Sequence, residues 1–199
     1  MLILLEIFIR SIVPPFYSLS LVEKICKRKL NKNSDDRQTI WILSNFYVWY
    51  KKYEKAKILL ELLLKLSKAR KVDKLLLSKV YYNLKEYSKV VEILYDCEPL
   101  DDKDMSKFYL GNSLMEIGNY KKSIGLINNY IKFHKPTNYL VYARLGNAYY
   151  MEDLFQLALS SYEKAEKLNP SDKKIKEGIN LCLSMLGKTT VTKITEEKT

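Results

Sequence analysis

The chain has 199 residues, 47% of them apolar, with six glycines and five prolines, which is enough to bury a large area in one domain or an extended repeat array. Its formal charge is +11 at pH 7, drawn almost entirely from lysines spread along the chain. Nucleic-acid readers instead concentrate arginine and aromatics on one element, so this pattern speaks against one. Three widely separated cysteines (Cys26, Cys97 and Cys182) and a single histidine, His134, leave no disulfide framework and no ligand-spaced metal pair.

Residues 2–13, LILLEIFIRSIV, are apolar except for Glu6, Arg10 and Ser11, and Pro14-Pro15 then breaks the helix. The stretch is too short and too charged to span a bilayer. It also lacks the basic start and cleavage site of a secretory signal. Phe16 to Leu30 reads as a second helix, with Leu19, Val22, Cys26 and Leu30 on one face. Asn31 to Asp36 is a polar connection in which Ser34, Asp35 or Asp36 can cap the next helix. Helix pairs then follow to residue 172. A last helix over 173–187 carries Ile175, Ile179, Leu183 and Leu186, with Ser171 or Asp172 as its cap and Gly187 as its stop. Residues 188–199 are rich in Thr, Lys and Glu and are expected to be disordered. No run of alternating Val, Ile and Thr suggests a sheet, so the class is all-α.

One pattern returns four times between residues 37 and 172. The last copy has Tyr142, Leu145, Gly146, Tyr149, Ala158, Tyr162, Ala165 and Pro170. The third has Leu110, Gly111, Leu114, Tyr120, Ser123 and Ile127. The second has Leu77, Ser78, Tyr81, Tyr87, Val90 and Leu94, and the first Leu43, Ser44, Tyr47, Tyr53, Ala56 and Leu60. The units span 37–70, 71–103, 104–138 and 139–172. Position 8 is always small (Ser44, Ser78, Gly111, Gly146), as two closely approaching helices require. Position 20 is modest in size, and position 17 is aromatic (Tyr53, Tyr87, Tyr120, Phe155).

These residues resemble the signature of the tetratricopeptide repeat (TPR) family, over roughly residues 37–187. The resemblance implies an alpha-alpha superhelix of four helix–turn–helix repeats, with residues 1–36 as an apolar, degenerate N-terminal cap and 173–187 as a C-terminal capping helix. It also implies that positions 2, 5, 9, 12 and 13 of each repeat line a concave groove. The candidate partner-binding residues are Trp41, Asn45, Trp49, Lys79, Tyr82, Phe108, Asn112, Met115, Asn147, Tyr150 and Met151. Asn recurs at position 9 in three of the four repeats, a row of amides suited to a peptide backbone. Val72, Leu75 and Leu140, at the same set of positions, are expected to pack between helices about as readily as to face the groove. The two-carboxylate clamp of co-chaperone arrays is not reproduced, since only Arg144 matches across the second to fourth repeats.

No catalytic constellation stands above background: there is no phosphate-cradling loop, no H-E-x-x-H, no nucleophile elbow and no Cys with a His partner. The expectation is a non-enzymatic cytoplasmic adaptor or scaffold, without cofactor or metal, that binds a peptide or an acidic or amphipathic helix of another protein. Two other readings stay open: a basic RNA-contacting repeat protein, and a self-associating subunit of a larger assembly. Residues 2–13 are expected to meet a partner, a second copy or a membrane surface, or to fold back on the repeats.

Overall fold

A computed structural model describes residues 18–66, 70–97, 99–101 and 105–196, with side chains described as far as residue 187. The described residues hold ten helices and no strand. In chain order these are α1 (Leu19–Leu30), α2 (Arg37–Trp49), α3 (Tyr53–Leu66), α4 (Lys71–Asn83), α5 (Tyr87–Tyr95), α6 (Ser106–Glu116), α7 (Tyr120–His134), α8 (Tyr139–Met151), α9 (Phe155–Leu168) and α10 (Lys173–Glu196). They fall into two compact units, one ending at Pro99 and the other beginning at Leu100. The expectations for residues 2–13 and for Pro14-Pro15 lie outside the described residues.

Within each helix pair the recurrent positions are what the two helices share. Ser44, Ser78, Ala56, Val90, Ser123 and Ala158 have no exposed surface. At Gly111 an added Cβ would lie 3.0 Å from Ile127, and at Gly146 2.8 Å from the Tyr162 ring. The Ser123 hydroxyl uses the same closeness to donate to the Gly111 carbonyl at 2.7 Å. Leu60, Leu94, Ile127 and Tyr162, all at position 24, fill the space beneath.

Each pair is also closed by the same backbone device. Position 15 turns left-handed in all four repeats: Lys51 (φ 55), Lys85 (φ 62), Gly118 (φ 83) and Asp153 (φ 56). The N–H of position 16 reaches back to the carbonyl of position 11 at 2.7–2.9 Å, and the N–H of position 15 to that of position 12 at 3.0–3.1 Å. This paired closure satisfies carbonyls that the ended helix leaves free. Glycine is the residue suited to it, and only the third repeat supplies one.

In the first unit, Val22 and Cys26 of α1 are fully buried on the repeat that follows. Asp36 is the cap of α2: its carboxylate accepts from the Thr39 N–H at 3.3 Å and the Thr39 hydroxyl at 2.8 Å. The two repeats are joined by Asp73, which has no exposed surface and accepts from Arg37, from Arg70 Nε at 3.1 Å and from Arg70 Nη2 at 3.0 Å. Arg37 also donates to the Leu63 carbonyl at 3.3 Å.

In the second unit, α10 packs on α9 through Ile175, Cys182 and Leu186. The Tyr162 ring lies between two glycines: a Cβ on Gly178 would sit 2.8 Å from Tyr162 Cζ, mirroring the contact at Gly146. The expected stop at Gly187 is corrected here, because α10 runs on to Glu196, so that residues 188–196 are helical where disorder is expected. Gly187 does not take the left-handed conformation that ends a helix, which among the described glycines only Gly118 adopts. All three cysteines are buried and none is in a disulfide among the described residues, and burial pushes the Cys26 thiol up to about 11 and the Cys182 thiol also upward.

Candidate functional site

The second unit contains a cleft of about 630 Å³ lined by α6, α8 and the start of α10. It brings together Met115, Asn147, Tyr150 and Met151 with Leu140, Ala143 and Arg144. Leu140 and Met151 are 47% and 55% exposed, so they meet the cleft rather than a neighbouring helix. Of the two even expectations for Leu140, this is the groove-facing one. Val72, in the first unit, is 54% exposed and likewise is not packed between helices, whereas Leu75 is half-buried. Tyr150 is set edge-on to Phe155 at 5.5 Å, which holds its ring at the cleft wall.

Polar groups in the cleft are already partly spent. Asn147 accepts from the Tyr162 hydroxyl at 2.5 Å, leaving its amide N–H groups to face outward. Burial pushes that hydroxyl up to about 12. Arg144 donates to Asn112 Oδ1 at 3.1 Å and to Glu116 Oε1 at 2.9 Å, so its charge is matched within the protein. Asp172 caps α10 through the Lys174 N–H at 2.9 Å. Among the described residues no group of His, Cys, Asp and Glu could hold a metal ion.

Three of the candidate groove residues sit deeper than the sequence implies. Asn112 has no exposed surface: its amide donates to the Phe108 carbonyl at 2.8 Å and its oxygen accepts from Arg144. It is a tie between first helices, so the row of free amides is interrupted there. Met115 is 8% exposed and forms part of the core with Ile127, Tyr130 and Leu145. Phe108 packs on that core, its ring 4.7 Å from Tyr130. His134 is the last residue of α7 and stacks on Tyr130 at 4.6 Å.

In the first unit the candidate face lies on α2 and α4. Trp49 is 52% exposed, and Trp41 is half-buried, its indole N–H without an acceptor among the described residues. Asn45 and Asn83 each turn the amide nitrogen back to their own helix, to the Trp41 and Lys79 carbonyls at 2.8 and 2.7 Å. Tyr82 sits edge-on to Tyr87 at 6.1 Å, and Lys79 is half-buried beside it on α4.

No family model matches the sequence, and no curated protein matches it either. Solved structures do. YrrB, described as a TPR protein with an unusual peptide-binding site, is 18% identical with a TM-score of 0.68, over 80% of this chain and 82% of that one. MamA from strain AMB-1 is 22% identical with a TM-score of 0.63, over 72% of this chain and 79% of that one. MamA from Desulfovibrio magneticus RS-1 is 18% identical with a TM-score of 0.55, over 89% of this chain and 96% of that one. With four helix pairs closed in the same way and these likenesses, the chain has the tetratricopeptide-repeat fold.

Proposed function

We propose that the protein is a cytoplasmic adaptor or scaffold that binds a peptide or helix of a partner protein on the faces of its first helices. The observation that carries this reading is the cleft of the second unit. There the exposed apolar side chains of Leu140 and Met151 stand beside Tyr150 and the outward amide of Asn147. Apolar contact area with a few placed donors is what a peptide segment needs. The likeness in fold to YrrB, a protein with a peptide-binding site, supports the reading. Three buried cysteines outside any disulfide among the described residues support a reducing compartment.

The test is affinity purification from the native host with mass spectrometry, in parallel for the parent chain and for Leu140→Glu with Met151→Glu. The expected result is a protein partner that survives nuclease treatment and is lost from the double variant at unchanged helicity. Loss of every partner after nuclease would favour an RNA-contacting role instead.

A further inference from the structure

We propose that the outer face of α1 and α3 docks this protein on an anionic lipid bilayer. This inference is independent of the groove reading, because neither helix contributes to the groove. The outward stripe of α3 holds Ile58 and Leu62, 65% and 38% exposed and one turn apart. Ala56, Leu60 and Leu63 occupy the opposite, buried face. Lys55 and Lys65 flank the two aliphatics on the same exposed side.

The Lys55 ammonium pairs with Glu23 at 3.3 Å, which brings α1 alongside α3. From α1, the exposed residues Leu21, Lys24 and Arg28 follow at helical spacing, away from buried Val22 and Cys26. Lys51 and Lys52 add two more exposed cations at the turn that precedes α3. Among the described carboxylates of these two helices, Glu23 is spent on Lys55 and Tyr47, Glu61 accepts from the Tyr81 hydroxyl at 2.9 Å, and Glu54 is 72% exposed. The surface therefore carries a positive excess around three exposed aliphatic side chains.

A polyanion fits this charge, and the aliphatics choose which one. Bases would be met by aromatic platforms and arginine, yet the outward positions hold Ile, Leu and lysine, with Arg28 the single arginine. Lysine stems lie along an apolar surface and lift their ammonium groups to headgroup phosphates, while Ile58 and Leu62 enter the acyl boundary. Charge supplies most of such binding, since each cation near an anionic leaflet raises the partition about fivefold.

The experiment is co-sedimentation of the full chain with vesicles of phosphatidylcholine containing roughly one-third phosphatidylserine, against phosphatidylcholine alone. Binding is expected only to the anionic vesicles, and it should vanish at about 0.5 M salt as the Debye length shrinks. The triple variant Lys24→Glu, Arg28→Glu, Lys65→Glu should lower binding at least about tenfold. None of the three makes an ion pair among the described residues, so helicity by circular dichroism should hold. Ile58→Ser with Leu62→Ser should weaken binding several-fold with all charges kept. Residues 1–17 are present in every variant, so a triple variant that pellets like the parent overturns the proposal. So does a parent chain that ignores both vesicles but binds poly(U) RNA.

Discussion

Arg37, the first residue of α2, donates to the carboxylate of Asp73, thirty-six residues further on and without exposed surface. The pair ties the start of one repeat to the start of the next, and Arg70 completes it from the connection between them. A buried carboxylate with both partners present costs little, whereas half of the arrangement is a liability.

Removing the acid should therefore be worse than removing either base. Asp73→Ala is expected to destabilise the protein by about 3 kcal/mol, leaving Arg37 facing a dry junction. Arg70→Ala, at a half-exposed position, should cost about 1 kcal/mol or less. Urea unfolding of the two variants checks the order; equal midpoints would mean that the junction is held by apolar packing alone.

The left-handed turns give a prediction of opposite sign. Lys85→Gly removes the crowding of a Cβ at φ 62 and should stabilise by up to about 1 kcal/mol, less the entropy glycine costs in the unfolded chain. Gly118→Lys should lose about the same amount at φ 83. The measurement is the shift in urea midpoint at constant slope.

Tyr162 makes a third case. Gly178→Val would place atoms inside the ring's contact distance, as would Gly146→Leu, at about 1–3 kcal/mol each. Hydrogen exchange should show α10 losing protection first in Gly178→Val. Normal protection of α10 would mean that the ring can shift aside.

Acid should weaken the first unit through three named carboxylates. A hydrogen bond from Tyr47 leads the lowering of Glu23, helped by Lys55. Burial alone would raise Asp36 and Glu86, but Lys29 and Thr39 outweigh it at the first, and Lys57 at 2.6 Å with Lys89 at 2.7 Å at the second. Each folded-state pKa lies below its unfolded value, near 4. Their contribution is thus fully present above that pH and is lost as pH falls through the folded values. Urea midpoints measured from about pH 6 to pH 3 should fall, and Glu86→Gln should flatten that slope.

Much of the architecture was legible because it rests on size. Small residues at positions 8 and 20, with large ones at position 24, can be read without coordinates, and the contacts of Gly111 and Gly146 are what those sizes predict. Asp36, one of three candidate caps, is the one used. What stayed hidden depends on where a side chain spends its hydrogen bonds. Asn112 looks like Asn147 in the sequence, yet Arg144 and the Phe108 carbonyl consume it, while Asn147 still faces the cleft. Asp73 carries no distinguishing mark in the sequence, and only the fold brings Arg37 and Arg70 onto it. Gly178 did offer a signal, a glycine facing the aromatic of the preceding helix pair, but a helix-period scan weighs only its apolar neighbours. Gly187 failed as a stop because its composition says nothing about the sign of φ.

Both tryptophans of the chain, Trp41 and Trp49, stand on α2, and no other helix carries one. Intrinsic emission excited at the red edge therefore comes from a single helix of the first unit, while the sixteen tyrosines are spread over both. A melt followed by tryptophan light reports one half of the molecule, and far-ultraviolet ellipticity reports the whole. Superimposable curves would mean that the halves unfold together; separated curves would give each half its own transition.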